Sequence, residues 1–311
     1  MAITAGMVKE LREMTGAGMM DCKKALGETN GDMEAAVEFL RKNGQAKAEK
    51  KASRIAAEGI VKVVVEDDRR AAIVEVNSET DFVAKNEKFQ TYVEKVAKQV
   101  LASNAADMDA FMEEAWIEDS SKTVKDSLVE QIAVIGENLK IRRFEKAEAE
   151  NGCVVDYIHG GGRIGVVAVA ETSVVNDAVK EAVKNLCMQI AALNPKYVSR
   201  DEISEDYIAH EKEILRAQIM NDPKESQKPE KVINGMIEGR VNKELKEICL
   251  VDQVYVKAED GKQTVAKYLE QVSKEAGCEV SIKKFIRFET GEGLEKKSED
   301  FAAEVAAQMN Q

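Results

Sequence analysis

Three glycines have the spacing of a dinucleotide-binding motif, Gly160-x-Gly162-x-x-Gly165. That motif binds a pyrophosphate only where it follows a strand and begins a helix, because the helix N-terminus attracts the negative charge. Here residues 166–170 are Val-Val-Ala-Val-Ala, which predicts a strand. The context therefore favours a β-hairpin turn over a nucleotide site. An NAD-dependent enzyme stays open as an alternative that a nicotinamide titration would test, and no Walker motif G-x-x-x-x-G-K-[ST] occurs in the sequence.

The other residues that could do chemistry are few and scattered. His159 and His210 are 51 residues apart, and neither has a nearby serine or cysteine in the context of a nucleophile elbow. His159 falls at the tip of the predicted hairpin, as an exposed turn residue or as a contact residue. The five cysteines form no C-x-x-C pair and are interpreted as buried thiols of a reducing cytoplasm: Cys22, Cys153, Cys187, Cys249 and Cys278. We therefore predict no catalytic residue, no metal site and no cofactor.

The segment Asn77–Asn86 contains the most informative polar and aromatic residues. It connects a predicted buried strand to a predicted helix. In one interpretation Thr80 or Asp81 caps a short turn and Phe82 packs inward. In the other, a carboxylate and a large apolar ring are presented on a strand–helix loop, where they form a wedge for binding another protein. The segment by itself does not decide between the two.

The composition limits the classes of partner. The chain has 311 residues, for which two domains are a reasonable expectation, and 45 Lys and Arg against 57 Asp and Glu give a net charge of −12. This acidic balance and an aromatic content of 5% disfavour nucleic-acid binding, whereas 44% hydrophobic residues predict a folded core. We find no apolar run of 18 residues and no secretory or transit pattern at the N-terminus, so we expect a cytoplasmic protein that does not enter a membrane.

Three short helices are predicted for residues 4–43. Thr4 can cap the first helix, Thr15-Gly16-Ala17-Gly18 interrupts the chain before a second helix at Met19, and Asp32 can cap a third that stops at Asn43-Gly44. Two adjacent methionines at a helix start suit either a plain loop or an adaptable binding surface. Residues 45–58 are rich in Ala and Lys and predict a charged helical linker, so the first domain is placed at residues 1–55.

The middle of the chain contains a weak internal duplication with an offset of 93 residues. Each copy has a glycine, two strands joined by a turn, and a helix, and each is completed by a later strand with a basic and aromatic pattern, Ile141–Glu145 or Ile286–Glu289. We predict an α+β fold with two related subdomains packed as a pseudo-symmetric pair. They comprise residues 56–150 in the first case, and 151–198 with 238–288 in the second.

An insertion of residues 199–237 interrupts the second subdomain. Five of its residues have the 4-3-4-3 spacing of a coiled-coil seam: Ile203, Tyr207, His210, Ile214 and Ala217. A turn with two prolines follows, and a second helix resumes near Glu230. This pattern predicts an antiparallel helical hairpin. A terminal helix that Ser298 can cap is expected within a C-terminal module of residues 289–311.

Taken together, these segments resemble bacterial elongation factor Ts over almost the whole chain. The N-terminal block Val8–Leu26 is highly specific to that family. The other matching motifs are Glu75-Val76-Asn77-x-x-Thr80-Asp81-Phe82-Val83-Ala84-Lys85, Ile135-Gly136-Glu137-Asn138 with Ile141-Arg142-Arg143, Tyr157-x-His159-Gly160 with Arg163-Ile164-Gly165, and Ile286-Arg287-Phe288-Glu289 with Gly291-Glu292-Gly293. One departure is Gln189, in a helix where many family members have a histidine, so no imidazole role transfers to that position.

The resemblance implies a guanine-nucleotide exchange factor that releases GDP from elongation factor Tu and does no chemistry of its own. It implies a UBA-like N-terminal bundle that docks on the GTPase. It also implies that Thr80, Asp81, Phe82 and Val83 disturb the partner's magnesium site. The remaining implied contact residues are Leu11, Met19, Met20, Ile135, Gly136 and His159. A homodimer or a 2:2 complex with the GTPase stays open, as does the alternative of an RNA- or ribosome-associated structural factor, against which the charge of −12 argues.

Overall fold

The structure is a computed structural model that describes residues 3–295. The expected helix after Ser298 lies outside the described residues. The helices are α1 (Ala5–Thr15), α2 (Met19–Glu28), α3 (Met33–Lys51), α4 (Asp81–Ala84), α5 (Glu87–Ala102), α6 (Met108–Glu113), α7 (Val124–Ile135), α8 (Asp177–Leu193), α9 (Glu205–Asn221), α10 (Glu230–Ile248) and α11 (Val265–Ala276). The strands are β1 (Glu58–Glu66), β2 (Arg70–Ser78), β3 (Ala115–Trp116), β4 (Asp119–Thr123), β5 (Lys140–Glu148), β6 (Gly152–His159), β7 (Ile164–Thr172) and β8 (Val280–Glu289). The predicted α+β class is confirmed.

Helices α1, α2 and α3 form the predicted N-terminal bundle. The hydroxyl of Thr4 accepts a hydrogen bond from the Met7 N–H at 3.2 Å, and the carboxylate of Asp32 accepts one from the Ala35 N–H at 2.9 Å. These are the capping interactions that satisfy the free N–H groups of a first helical turn. The bundle encloses a small apolar core of Val8, Leu11, Cys22, Ala25, Leu26 and Ala36.

The predicted end of α3 at Gly44 is wrong, because the helix continues to Lys51. Gly44 lies at a close helix–helix contact, where a Cβ would stand 3.6 Å from Cβ of Ala133 and 3.8 Å from Cγ1 of Val129. Farther along α3, Ala48 is buried in the core of the first α+β unit. The tertiary contact with α7 therefore outweighs the weak helix propensity of glycine, and most of the predicted linker is a continuation of α3.

Two three-stranded antiparallel sheets contain the duplicated strands, in the orders β1-β2-β5 and β6-β7-β8. The offset of 93 residues relates Gly59 to Gly152, and both begin a hairpin with positive φ angles of 129° and 123°. A Cβ would stand 2.2 Å from the Val76 carbonyl oxygen at Gly59, and 2.0 Å from the Ala170 carbonyl oxygen at Gly152. Both positions require glycine for the same steric reason, which supports the predicted duplication.

The two sheets face each other, and helices cover their outer faces. Helix α5 packs on β1 and β2, whereas α8 packs on β6 and β7. The facing sides meet in an apolar core that includes Val61, Val63, Ile73, Val154, Val167, Val169, Ile286 and Phe288. Strand β7 follows the glycine turn directly. The hairpin interpretation of the Gly160–Gly165 motif is thus confirmed, since a dinucleotide site requires a helix at that position.

Helices α9 and α10 form the predicted antiparallel hairpin. Their shared apolar cluster includes Ile203, Ile219, Ile233, Ile237, Val241 and Leu245. The predicted seam on α9 is wrong in part, because His210, Ile214 and Ala217 are exposed. Ile208 and Leu215 pack against the cluster instead. Two apolar rows with nearly the same spacing run along α9, and only contact with α10 selects the buried one.

Helix length and cysteine burial add two further observations. Over residues 3–295, no helix is both long enough and apolar enough to cross a membrane. Four of the cysteines are buried as expected, but Cys278 is only half-buried. Its thiol lies 3.2 Å from the Thr172 hydroxyl, and this hydrogen bond lowers the pKa of Cys278.

Candidate functional site

The connection after β2 differs from its counterpart in the duplicated unit. In the second unit β7 is joined to α8 by residues 173–176 alone, whereas in the first unit residues 79–86 connect β2 to α5. The longer connection contains the four-residue helix α4. Because the two units otherwise repeat the same elements, the extra helix is a feature that the shared fold does not require.

Helix α4 presents an aromatic ring to solvent. The side chain of Phe82 is 82% exposed, whereas Val83 packs against the core of the first unit and Ala84 is buried. The hydroxyl of Thr80 caps the helix by accepting a hydrogen bond from the Val83 N–H at 3.3 Å. The cap that the first interpretation predicted is present, but the inward packing of Phe82 is wrong. An exposed ring held beside a rigid core has the character of a protein-binding anchor.

Asp81 adds a negative charge beside Phe82. Its carboxylate is exposed and accepts a hydrogen bond from Nζ of Lys85 at 2.6 Å. This hydrogen bond lowers the pKa of Asp81. The carboxylate is therefore ionised at neutral pH, and an approaching cation or phosphate group would meet its charge.

Helix α7 ends beside this connection. Ile135 is half-buried against the first core, and Gly136 takes a left-handed conformation with φ of 89°. The Gly136 N–H donates to the Ile132 carbonyl at 3.0 Å, as in a glycine C-cap. No atom outside its chain neighbours lies within 4 Å of a Cβ at Gly136, so this turn is exposed on that side.

Two carboxylates join the connection to the α7 turn. Oε2 of Glu137 accepts hydrogen bonds from the backbone N–H groups of Glu79 and Thr80 at 3.0 and 3.1 Å, and Oε1 accepts one from the Thr80 hydroxyl at 2.7 Å. In return, Oε1 of Glu79 accepts a hydrogen bond from the Asn138 N–H at 2.6 Å. We call this pair of interactions the Glu79–Glu137 clamp. It joins the segment that precedes Phe82 to the segment that follows Gly136, although the two are far apart in sequence.

Sequence reasoning missed the clamp residues. Glu79 and Glu137 both lie within the motifs that carry the family resemblance, but no spacing rule pairs residues 58 positions apart. The only local signal was a glutamate directly after a helix-terminating glycine. The Glu137 carboxylate binds backbone N–H groups, which every residue except proline has. The sequence therefore cannot show which of them it binds, and only the folded structure can.

The N-terminal contact residues divide into exposed and buried groups. Met19 and Met20, at the start of α2, are 59% and 73% exposed. Leu11 is fully buried in the bundle core, so its predicted contact role is wrong. An apolar stripe on a short amphipathic helix must face its own bundle, and Leu11 lies on that stripe. Leu11 instead contributes to the packing of the bundle.

His159 lies on the second sheet, at the end of β6, and is exposed. Its Nδ1 lies 3.0 Å from the hydroxyl oxygen of Tyr157. Within residues 3–295, no group of three or more His, Cys, Asp or Glu side chains is arranged to hold a metal ion.

Comparison with known proteins identifies the family. The sequence model of a family described as elongation factor TS matches residues 79–292, a region that starts at the clamp and includes Phe82, Gly136 and His159. The chain belongs to the elongation factor Ts family. It is 51% identical over 310 residues to elongation factor Ts of Clostridium novyi strain NT, covering 99% of each chain. It is 52% identical over 305 residues to that of Clostridium perfringens strain 13, covering 98% of each.

In this elongation factor Ts family member, the side chain of Gln189 has a structural role. The side chain is fully buried in α8, where Nε2 donates to the Val254 carbonyl at 3.0 Å and to Oε1 of Gln253 at 3.1 Å. Its Oε1 accepts a hydrogen bond from the Val256 N–H at 2.7 Å. The amide thus ties α8 to the segment after α10, a role that does not depend on an ionisable ring.

Proposed function

We propose that this elongation factor Ts family member binds elongation factor Tu in its GDP-bound form and promotes release of the GDP. The observation that carries the proposal is the ring of Phe82, 82% exposed on a helix that the duplicated unit lacks. An inserted helix that exposes an aromatic side chain is best explained by a partner protein that buries the ring on binding. The family membership supports the same conclusion.

The mechanism needs no covalent step. In it, Thr80, Asp81, Phe82 and Val83 approach the magnesium and phosphate site of the GTPase, with Phe82 as the inserted ring and Asp81 as the charge. Displacement of magnesium removes the main counter-charge of the diphosphate, so GDP dissociates faster. The factor binds the nucleotide-free GTPase more tightly than the GDP-bound form. By thermodynamic linkage, it lowers the affinity of the GTPase for GDP by the same ratio as GDP lowers the affinity of the GTPase for it.

Other contacts would orient the two proteins. Met19 and Met20 would dock the bundle, which we take to be UBA-like, on the nucleotide-binding domain of the GTPase, with Ile135 and Gly136 near its phosphate loop. The exposed His159 would contact a separate region of the partner. In this scheme the domains are residues 1–55, 56–150, 151–198 with 238–288, the hairpin 199–237 and the C-terminal module 289–311. The hairpin boundary at 237 is too early, because helix α10 continues to Ile248 and packs on α9 through Val241 and Leu245. The protein acts in the cytoplasm without a cofactor.

The test is the release of labelled GDP from purified elongation factor Tu in the presence of excess unlabelled GDP. We expect the release rate to rise with the concentration of the full chain until it saturates. Pull-down should capture more of the GTPase without GDP than with it, and light scattering of the complex would distinguish a 1:1 from a 2:2 assembly. An unchanged release rate over the whole concentration range would refute the proposed function.

A further inference from the structure

We propose that Glu137 is a positioning residue for nucleotide exchange, which fixes the Phe82 helix relative to the Gly136 turn so that both engage the partner as one rigid unit. The inference rests on the proposed function. It deepens that function by assigning a role to a residue that touches neither nucleotide nor partner in the scheme above.

Phe82 cannot fix its own orientation. Its ring is 82% exposed, and α4 has only four residues. So short a helix has little stability of its own, because helix nucleation costs more than one turn returns. The orientation of the ring must therefore come from tertiary contacts, which Val83 and Ala84 supply on the inner face of α4.

Glu137 supplies the contacts at the N-terminal end of α4. One carboxylate binds three donors, which are the N–H groups of Glu79 and Thr80 and the Thr80 hydroxyl, at 2.7 to 3.1 Å. Hydrogen bonds to an ionised acceptor are stronger than neutral ones. The same Thr80 hydroxyl caps α4, so the carboxylate acts directly on the residue that begins the helix.

The clamp is reciprocal. The Glu79 carboxylate accepts hydrogen bonds from the Asn138 N–H at 2.6 Å and from Nη1 of Arg54 at 3.3 Å, while Nδ2 of Asn138 donates to the Arg54 carbonyl at 2.8 Å. Each segment thus holds the backbone of the other with a carboxylate. Displacement of either segment breaks several hydrogen bonds together, so the two segments behave as one body. This rigidity reduces the conformational entropy that is lost when a partner binds.

The test compares Glu137→Ala and Glu137→Gln with the control Glu114→Ala. Glu114 is a half-buried carboxylate in the same unit, and it accepts hydrogen bonds from the Ser103 hydroxyl at 2.9 Å and from Nε2 of Gln99 at 3.2 Å, away from α4. At a temperature where all variants are folded by circular dichroism, we expect Glu137→Ala to reduce kcat/KM for GDP release about tenfold or more. Glu137→Gln keeps one acceptor oxygen and should recover part of the loss, whereas Glu114→Ala should stay within about twofold.

A double-mutant cycle separates positioning from direct contact. If Glu137 positions the Phe82 helix, then Glu137→Ala should cause a smaller loss of exchange in the Phe82→Ala background than in the unmodified chain. Two losses that multiply would overturn the proposal, and so would full activity of both Glu137 variants.

A second measurement does not need the partner. Hydrogen exchange of the Thr80 amide, followed by NMR in the free protein, should be much faster in Glu137→Ala than in the unmodified chain or in Glu114→Ala. An unchanged Thr80 exchange rate would refute the positioning role even if GDP release were slowed. If Glu137→Ala removes Thr80 protection but the unmodified chain never stimulates GDP release, the proposed function alone is refuted and the structural role of Glu137 stands.

Discussion

Gly165 lies directly against Val61, at the contact between the two sheets. A Cβ at Gly165 would stand 2.4 Å from Cγ1 of Val61. Nearby, a Cβ at Gly162 would stand 2.8 Å from Cβ of Ile60, and the Gly162 carbonyl accepts a hydrogen bond from the Val61 N–H at 2.7 Å. Two glycines of the apparent dinucleotide motif therefore serve the close approach of one unit to the other.

Replacement of Gly165 should test this packing role. We expect Gly165→Ala to lower the free energy of unfolding by about 1–3 kcal/mol, because a methyl group there overlaps Val61 in a packed core. The control is Gly239→Ala in α10, where no atom lies within 4 Å of the added Cβ. That change should raise stability by up to about 1 kcal/mol through helix propensity. Equal urea midpoints for the two variants would contradict the assigned contact.

Gly44 should respond in the opposite direction from Gly165. Its Cβ position has only ordinary contacts, at 3.6 Å to Ala133 and 3.8 Å to Val129, and it lies within α3. Gly44→Ala should therefore raise the free energy of unfolding by about 0.5–1 kcal/mol. Gly44→Leu should lower it, because the larger side chain pushes α3 away from α7. Thermal unfolding of both variants measures the effects, and a stabilising leucine would show that the two helices are not in close contact.

These glycines show how far the sequence can predict the fold. Caps such as Thr4 and Asp32 act within one turn, so local patterns place the helix starts correctly. Gly44 and Gly136 carry the same local signal for a helix end. Helix α7 does end at Gly136, whereas α3 continues through Gly44 because it packs against α7 there. The direction of Phe82 likewise depends on tertiary packing, because Val83 and Ala84 are held against the core of the first unit. Local rules therefore predict the elements and the location of the site, whereas the orientation of its side chains requires contacts between distant segments.

Glu75 is a fully buried carboxylate that ties the end of the second sheet to the first. Its hydrogen-bond donors are Nδ2 of Asn77 at 3.0 Å, the guanidinium groups of Arg142 and Arg143 at 2.6 to 3.2 Å, and the Gly291 N–H at 2.8 Å. Burial raises the pKa of Glu75, but these hydrogen bonds outweigh burial and hold the pKa below its ordinary value of 4.5. The folded state therefore favours the ionised form.

Glu75→Gln should lower the free energy of unfolding by about 3–5 kcal/mol at pH 7, because it removes the charge between two arginines. Since the folded pKa is depressed, the ionised carboxylate stabilises the protein above pH 4.5 and loses this effect as the pH falls through the folded pKa. The difference between the two proteins should therefore shrink below pH 4.5. Urea titrations at several pH values measure it, with the half-exposed Glu145→Gln as a control near zero. A constant difference down to pH 2 would contradict the assigned network.

Asp81 should affect exchange through its charge. Asp81→Asn keeps the shape of the side chain but removes the negative charge that would approach the magnesium site. We expect slower GDP release and a stronger inhibition by added Mg²⁺, because magnesium is then displaced less effectively. The measurement is the release rate at a series of Mg²⁺ concentrations. Identical Mg²⁺ curves for the variant and the unmodified protein would remove the carboxylate from the mechanism.

Phe82 provides the decisive test, because a buried and a presented ring predict opposite results. With its ring 82% exposed, Phe82→Ala should change the free energy of unfolding by no more than about 0.5 kcal/mol. By comparison, Phe89→Ala should cost about 3–5 kcal/mol, since Phe89 is fully buried in the core of the same unit. Yet Phe82→Ala should slow GDP release about tenfold or more, because a central aromatic anchor contributes much of the binding energy of an interface.

The matched control for exchange is Ile117→Ala, which removes another exposed apolar side chain of the first unit, 50% exposed and outside the clamp. It should leave both stability and the GDP release rate nearly unchanged. Thermal melting and labelled GDP release, measured on the same preparations, separate the two effects for each variant. A Phe82→Ala protein that melts far lower, but exchanges GDP normally at a temperature where it is folded, would show that the ring packs inward. The contact role would then have to pass to Gly136 and its neighbours, because the exposed face of that turn is joined to the same clamp.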